Sequence, residues 1–314
     1  MGGPERLADV EPFLYNLFSD RRIIRLGPRL LQRPLAWWIA RKRAPKSCQS
    51  YAAIGGGSPL TRITRGQGER LGVLLAVHGS FSVIIAMRYW HPLTEEAVSE
   101  LVQNNISRLV VLPLYPHYSI ATTGSSLSRL HEVINSKGHP FDIAEVKAWP
   151  IEPHYIASLG RAIEEGCKHF SGRTPTVLYS AHSLPAKFVE EGDPYVEHIN
   201  ATIRAVEERT KITGRLAFQS RSGPVRWLTP STPDMLQLLA QEGCKDILMV
   251  PLSFVSDHVE TLYEIDILYR EMAEKLGMRL IRTESLNVKE DFIAGLSSLV
   301  LDAARTKGWI SIRQ

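Results

Sequence analysis

Residues 87–114, MRYWHPLTEEAVSELVQNNISRLVVLPL, lie without gaps over residues 225–252, VRWLTPSTPDMLQLLAQEGCKDILMVPL, and their hydrophobic and polar positions run in step. Each stretch opens with an aromatic loop. Apolar residues then recur at helical spacing, Ala97, Val98, Leu101 and Val102 in the first copy and Met235, Leu236, Leu239 and Ala240 in the second, which predicts an amphipathic helix. A polar turn and an unbroken apolar run follow, RLVVL at 108–112 and DILMV at 246–250, the pattern of a strand buried on both faces of a parallel sheet. Both runs stop at a proline, which has no N–H for a ladder. Alternating helices and strands in two copies predict an α/β fold of two similar doubly wound, Rossmann-like lobes with parallel four-stranded sheets. We draw the lobes as 1–148 and 149–289, with a terminal helix over about 290–314 placed back on the first.

Ligands in open parallel sheets bind beyond the carboxyl ends of the strands. Three such ends stand out: SAHSLP after TVLYS (176–180), PLYPHYSIATTGSS after RLVVL, and PLSFVSDHVETLYE after DILMV. The last begins an acidic stretch, with Asp257, Glu260, Glu264 and Asp266 in ten positions, one histidine (His258) and no Lys or Arg within it. Extending the internal alignment sets Ser119 over Asp257, Thr122 over Glu260 and Ser126 over Glu264, so the same scaffold positions carry hydroxyls in one copy and carboxylates in the other. The acids are therefore not demanded by the fold. Two readings are open for them. One is a solvated helix face with first-turn acids complementing the dipole. The other is a carboxylate ladder that binds a divalent cation or hands on protons, a reading helped by the apolar flank of Phe254, Val255, Val259, Leu262, Tyr263 and Ile265. His182 lies at the end of TVLYS, where an imidazole is either a structural hydrogen-bonding group or, beside carboxylates, a ligand for Fe²⁺ or Zn²⁺ or a base near neutral pH.

These segments together, YSAHSLPAKFVEEGDPY, PLYPHYSIATTGSSL, FQSRSGPVRWLTPST and VPLSFVSDHVETLYEIDI, supported by VEPFLYNLFSD, IGGGSPL and MRYWHP, resemble the signature segments of the ferrochelatases. The resemblance spans nearly the whole chain. It implies an enzyme of heme biosynthesis that inserts Fe²⁺ into a porphyrin, protoporphyrin IX or coproporphyrin III, held between two chelatase-like lobes. It also implies that His182 and Glu260 face the ring and the metal, with His182 as base or ligand, and that Asp257, His258 and Glu264 form a conduit for protons or metal on a helix with a π-type bulge. Arg88, Tyr89, Tyr115, Ser119 and Trp227 are the porphyrin-binding residues by the same likeness. Fe²⁺ enters as substrate, with no cofactor required. Two readings compete with this one: a porphyrin- or heme-binding protein without turnover, and a cobalt or nickel chelatase for another tetrapyrrole.

Three departures from the family pattern shape the expectations. The chain starts at the turn MGGP, where relatives carry a strand leading into it, which predicts an unpaired apolar slot in the first sheet and lower stability. Ala52 and Ala53 stand where eukaryotic relatives carry arginines, so propionate anchoring falls to Arg88 or other cations. Ile120 occupies the position of a cluster-binding cysteine and the C-terminal extension of some relatives is missing, so no iron–sulfur cluster is expected, and the chain is expected to be a monomer.

Composition narrows the remainder. Three cysteines, Cys48, Cys167 and Cys244, with no CxxC, exclude a disulfide scaffold and fit a reducing, cytoplasmic setting. A net charge of +4 is too small to argue for nucleic acid. IGGGSPL lacks the glycine spacing and preceding strand of a phosphate loop and reads as a flexible connection. LLQRPLAWWIARKRAPKS (30–47) mixes Trp37, Trp38 and leucines with a run of cations: either a core-packed helix with a basic end, or a peripheral contact with an anionic membrane.

Overall fold

The computed structural model describes residues 1–311 apart from 222 and 224, and the chain divides into two compact units. The first comprises Met1–Leu114, Ser119–Ala148 and the chain from Leu296 on. Its helices are α1 (Val10–Ser19), α2 (Gln32–Ala53), α3 (Leu60–Ala76), α4 (Thr94–Gln103) and α5 (Ser125–Lys137), and its strands are β1 (Arg108–Val111) and β2 (Asp142–Glu145), paired in parallel. The apolar positions of the first repeat do what their spacing predicts. Val98 of α4 and Leu130, Val133 and Ile134 of α5 form a cluster that takes in Leu109 and Val111 of β1.

This sheet has two strands among the described residues, not the four that the repeat led us to expect. The physical reason lies in Phe81–Ala86. Among the described residues this apolar segment makes no backbone–backbone hydrogen bond, and β1 has a neighbour only on its β2 side. A strand pattern without a ladder partner does not become a strand.

The IGGGSPL stretch joins α2 to α3. Gly55 and Gly56 have left-handed φ of 107° and 94°. A Cβ on Gly57 would come within 2.1 Å of the Glu5 carbonyl, and Ser58 N–H donates to Pro4 O at 2.7 Å. These glycines let the backbone clasp the segment around Pro4 and Glu5, a packing use.

The second unit comprises Tyr115–Tyr118 and Trp149–Gly295. It contains α6 (Pro153–Lys168), β3 (Thr176–His182), α7 (Ala186–Glu190), α8 (Tyr195–Thr210), β4 (Gly214–Gln219), α9 (Thr232–Gln241), β5 (Asp246–Pro251), a π-helix (Glu260–Tyr269), α10 (Arg270–Lys275) and β6 (Arg279–Arg282). The last helix, α11 (Glu290–Thr306), starts here and ends in the first unit. The four strands form one parallel sheet in the order β4-β3-β5-β6.

Every residue of β5 is buried, as its unbroken apolar run requires. Leu236 and Leu239 of α9, Ile265 and Tyr269 of the π-helix and Ala273 of α10 cover one side of the sheet against Leu178, Ile247 and Met249. On α6, Gly166 lies so close to β5 that a Cβ would meet Leu248 Cδ1 at 2.6 Å. This packing aligns the carboxyl ends of β3, β4 and β5, and the loops leaving them carry the polar residues described next.

Candidate functional site

Four side chains of the second unit converge at those strand ends. His182 closes β3, and its backbone carbonyl accepts from Tyr195 Oη at 2.9 Å, which fixes the strand end against α8. Its Nδ1 meets Glu260 Oε2 at 3.0 Å. His258 Nδ1 donates to Ser256 O at 2.9 Å, so its other nitrogen, Nε2, faces Glu260 Oε2 at 3.6 Å. Phe254 lies against both imidazoles, with ring centroids 4.5 Å from His258 and 6.2 Å from His182.

Glu260 is the first residue of the π-helix. Hydrogen bonds from i to i+5 widen each turn, so residues four apart fall nearly in line, and Glu264 follows Glu260 along one edge. Glu264 is held by β4: Gln219 Nε2 donates to its Oε2 at 3.1 Å and Ser220 Oγ does so at 2.6 Å. The same Gln219 Nε2 reaches Glu260 O at 3.0 Å, while Ser180 Oγ donates to the Gln219 carbonyl at 2.5 Å and so orients the amide. Ser220 holds a left-handed φ of 65°, a conformation costly for a residue with a Cβ.

The electrostatics separate the two acids. Burial works against a charge on either, but His182 and then His258 hold Glu260 well below the usual carboxylate range. Burial, reinforced by the negative Glu260, pushes Glu264 up despite its bonds to Ser220 and Gln219. Burial also opposes charge on His182, yet the Glu260 carboxylate outweighs it and raises the imidazole. The result is a charged Glu260 that strengthens the affinity of His182 for a proton, beside a second carboxyl that also readily accepts one, an arrangement suited to moving protons. His182 Nε2 makes no protein hydrogen bond among the described residues. Among those residues no group of three His, Cys, Asp or Glu side chains forms a metal cage.

The family model for ferrochelatase matches residues 1–304. The chain belongs to the ferrochelatase family. It is 58% identical to the ferrochelatase of Desulfotalea psychrophila over 304 residues, covering 97% of this chain and 95% of that protein. It is 52% identical to the ferrochelatase of Geotalea uraniireducens, covering 96% and 94%. Among solved structures, SirB from Bacillus subtilis with Fe3+ matches at a TM-score of 0.52 and 14% identity over 79% of this chain and 93% of that one, a likeness of fold. Family membership makes the chain a metal chelatase of heme biosynthesis.

The other residues singled out in the sequence fall in several places. Asp257 lies outside the π-helix, and its carboxylate is enclosed by Arg282, Ser285, Asn287 and Thr261. The acidic stretch has no cation of its own, but Arg282, sixteen residues beyond Asp266, neutralises both Asp257 and Asp266. Trp227 bridges to Pro185 and is partly buried, as is Tyr115.

In the first unit, Arg88 donates to Asp20 Oδ2 at 2.7 Å and to Ser125 Oγ at 3.1 Å, and Tyr89, 1% exposed, donates its hydroxyl to the same Asp20 oxygen. Ser119 is buried and caps its own short π-helix, Ile120–Gly124, by accepting from Ala121 N–H. Sequence reasoning missed Gln219, Ser220 and Arg282. The strand-end rule could have found the first two, but RLAFQ is too interrupted to read as a buried strand.

Proposed function

We infer that the chain inserts Fe²⁺ into a porphyrin at the His182–Glu260 dyad. Metal insertion requires two pyrrole N–H protons to leave as the ion takes their place. A base must stand at the ring and pass those protons on. Of the two roles the resemblance leaves to His182, the geometry supports the base: Nδ1 is committed to Glu260, and Nε2 is free to take a proton. Glu260 stabilises the imidazolium that results, and Glu264, with its raised affinity for protons, accepts the proton next and passes it toward Ser220. The observation that carries this reading is the 3.0 Å contact between His182 and Glu260.

Anaerobic insertion of Fe²⁺, followed by loss of porphyrin fluorescence, tests it. Glu260→Gln and His182→Ala should each lower kcat by about 100-fold or more while porphyrin still binds. Wild-type kcat in either variant overturns the assignment.

We further propose that residues 30–47 rest on an anionic bilayer surface. Helix α2 packs inward with Ala36, Ala40 and Ala44, all buried, and this small-residue face leaves Trp37 and Trp38 50% and 55% exposed, with Leu30 at 90%. Arg41 and Lys42 lie over the two indoles at 5.5 and 5.1 Å, pairing cations with apolar surface as an interfacial helix does. No helix among the described residues is long and apolar enough to cross a membrane. Flotation with vesicles containing anionic lipid should carry the wild type and leave Trp37→Ala/Trp38→Ala behind; equal flotation of both counts against the contact.

A further inference from the structure

Arg282 ends β6, and its side chain is only 10% exposed. Its guanidinium grips the π-helix with a fork: Nε donates to Asp266 Oδ1 at 2.9 Å and Nη2 to Asp266 Oδ2 at 2.8 Å. Nη1 points the other way, 3.1 Å from Asp257 Oδ1 and 3.0 Å from Ser285 Oγ, and also donates to Thr283 O. Asp257 in turn accepts from Ser285 Oγ at 2.7 Å, Thr261 Oγ1 at 3.2 Å and Asn287 Nδ2 at 2.8 Å.

Asn287 completes the bracket. Its backbone N–H donates to Val255 O at 2.8 Å and its Oδ1 accepts from Asp257 N–H at 2.9 Å, from a left-handed φ of 43°. Three of these partners crowd Oδ1 and the Asn287 amide holds Oδ2, so both carboxylate oxygens are tied to structural groups. Asp257 is thereby committed to its own chain.

We propose that Arg282 is a positioning residue that clamps the lead-in of the π-helix, through Asp257, to its body, through Asp266, and so sets the register that brings His258 and Glu260 onto His182. The inference rests on the reading of His182 and Glu260 given above. It assigns Asp257 to this clamp and away from the conduit that the family resemblance implies. The physical need is clear. A π-helix is rare and is seldom held beyond a single turn, whereas this one runs ten residues, so something outside it must fix both ends of its register. A bidentate Arg–carboxylate contact is the geometry that fixes orientation as well as distance. Nothing in the lead-in loop or the helix itself supplies a cation for the purpose until Arg270, which reaches Asp266 at 3.6 Å.

The test separates positioning from conduction. Arg282→Gln should keep porphyrin binding and the KM for Fe²⁺ near wild type while kcat falls about 100-fold, the scale expected when a reacting group is misplaced by about 1 Å. Arg282→Lys, which keeps the charge but loses the fork, should recover part of that loss. Asp257→Asn should lower kcat without raising the KM for Fe²⁺, and the double variant with Arg282→Gln should be no worse than the poorer single, because both break one clamp.

Ser285→Ala guards against a variant that fails to fold, since it removes one bond from each partner and no charge; a several-fold fall in kcat is expected. Unchanged kcat in folded Arg282→Gln, or Asp257→Asn raising the KM for Fe²⁺ at unchanged kcat, overturns the proposal. Glu260→Gln run alongside tells the two failures apart: if it is inactive while Arg282→Gln is active, only the clamp is wrong.

Discussion

The two copies of the repeat use one backbone plan for different ends. In both, the proline of the aromatic loop follows a cis peptide bond, His91–Pro92 and Thr229–Pro230, and both strands lead through a loop into a π-helix. The first π-helix has five residues and hydroxyls at the aligned positions, and Ser119 satisfies its own turn. The second has ten residues and carries Glu260 and Glu264, and each acid draws on a partner from another strand or loop: His182 from β3, Gln219 and Ser220 from β4 and the residue after it. Ser119 Oγ accepts from Ala121 N–H and Thr122 Oγ1 donates to Ser119 O within one turn, whereas the buried carboxylates draw on partners recruited from a distance. Duplicating the scaffold was therefore not enough to duplicate the chemistry.

The comparison can be broken most sharply at its aligned pair Glu264 and Ser126. Glu264→Gln should lower kcat for iron insertion about 100-fold, while Ser126→Ala leaves it within about twofold; equal losses would mean that the copies are not specialised.

A second measurement sharpens the electrostatic side. His182 acts as a base only when neutral, and Glu260 holds its pKa above the ordinary histidine value, so kcat should fall as pH drops through that raised value. In Glu260→Gln the charge that raises it is gone, and the acid limb of the residual activity should move to lower pH. A limb that stays in place, read from a pH–rate profile, would detach the titration from this pair.

The smallest effect belongs to the first copy. Ser119→Ala removes the cap on Ala121 N–H and should cost about 1 kcal/mol in a urea melt.

Much of this was legible before any coordinates. The helical spacing of Leu236 and Leu239 and the unbroken run Ile247–Val250 specify elements whose burial the structure repeats, because periodicity reports directly on which face meets the core. His182 and Glu260 were visible as a strand-end imidazole and an acid in apolar company. Arg282 was not, since its role depends on β6 lying beside β5, a pairing that brings together residues far apart in the chain. The four-stranded sheet expected of the first lobe failed for the converse reason. Periodicity shows that Phe81–Ala86 is fit to be a strand but is silent on whether a neighbour offers it a ladder.

That unladdered stretch has a dynamic consequence. Amide protons exchange with solvent at a rate set by the bonds that must first open, and from Phe81 to Ala86 no backbone bond among the described residues stands in the way. Deuterium should enter there within the earliest labelling times, long before it reaches Leu178 or Met249, whose amides lie in a four-stranded ladder. Breathing of the fold would then begin at this unladdered segment and leave the lobe that carries the histidine–carboxylate pair as the slowest part to yield.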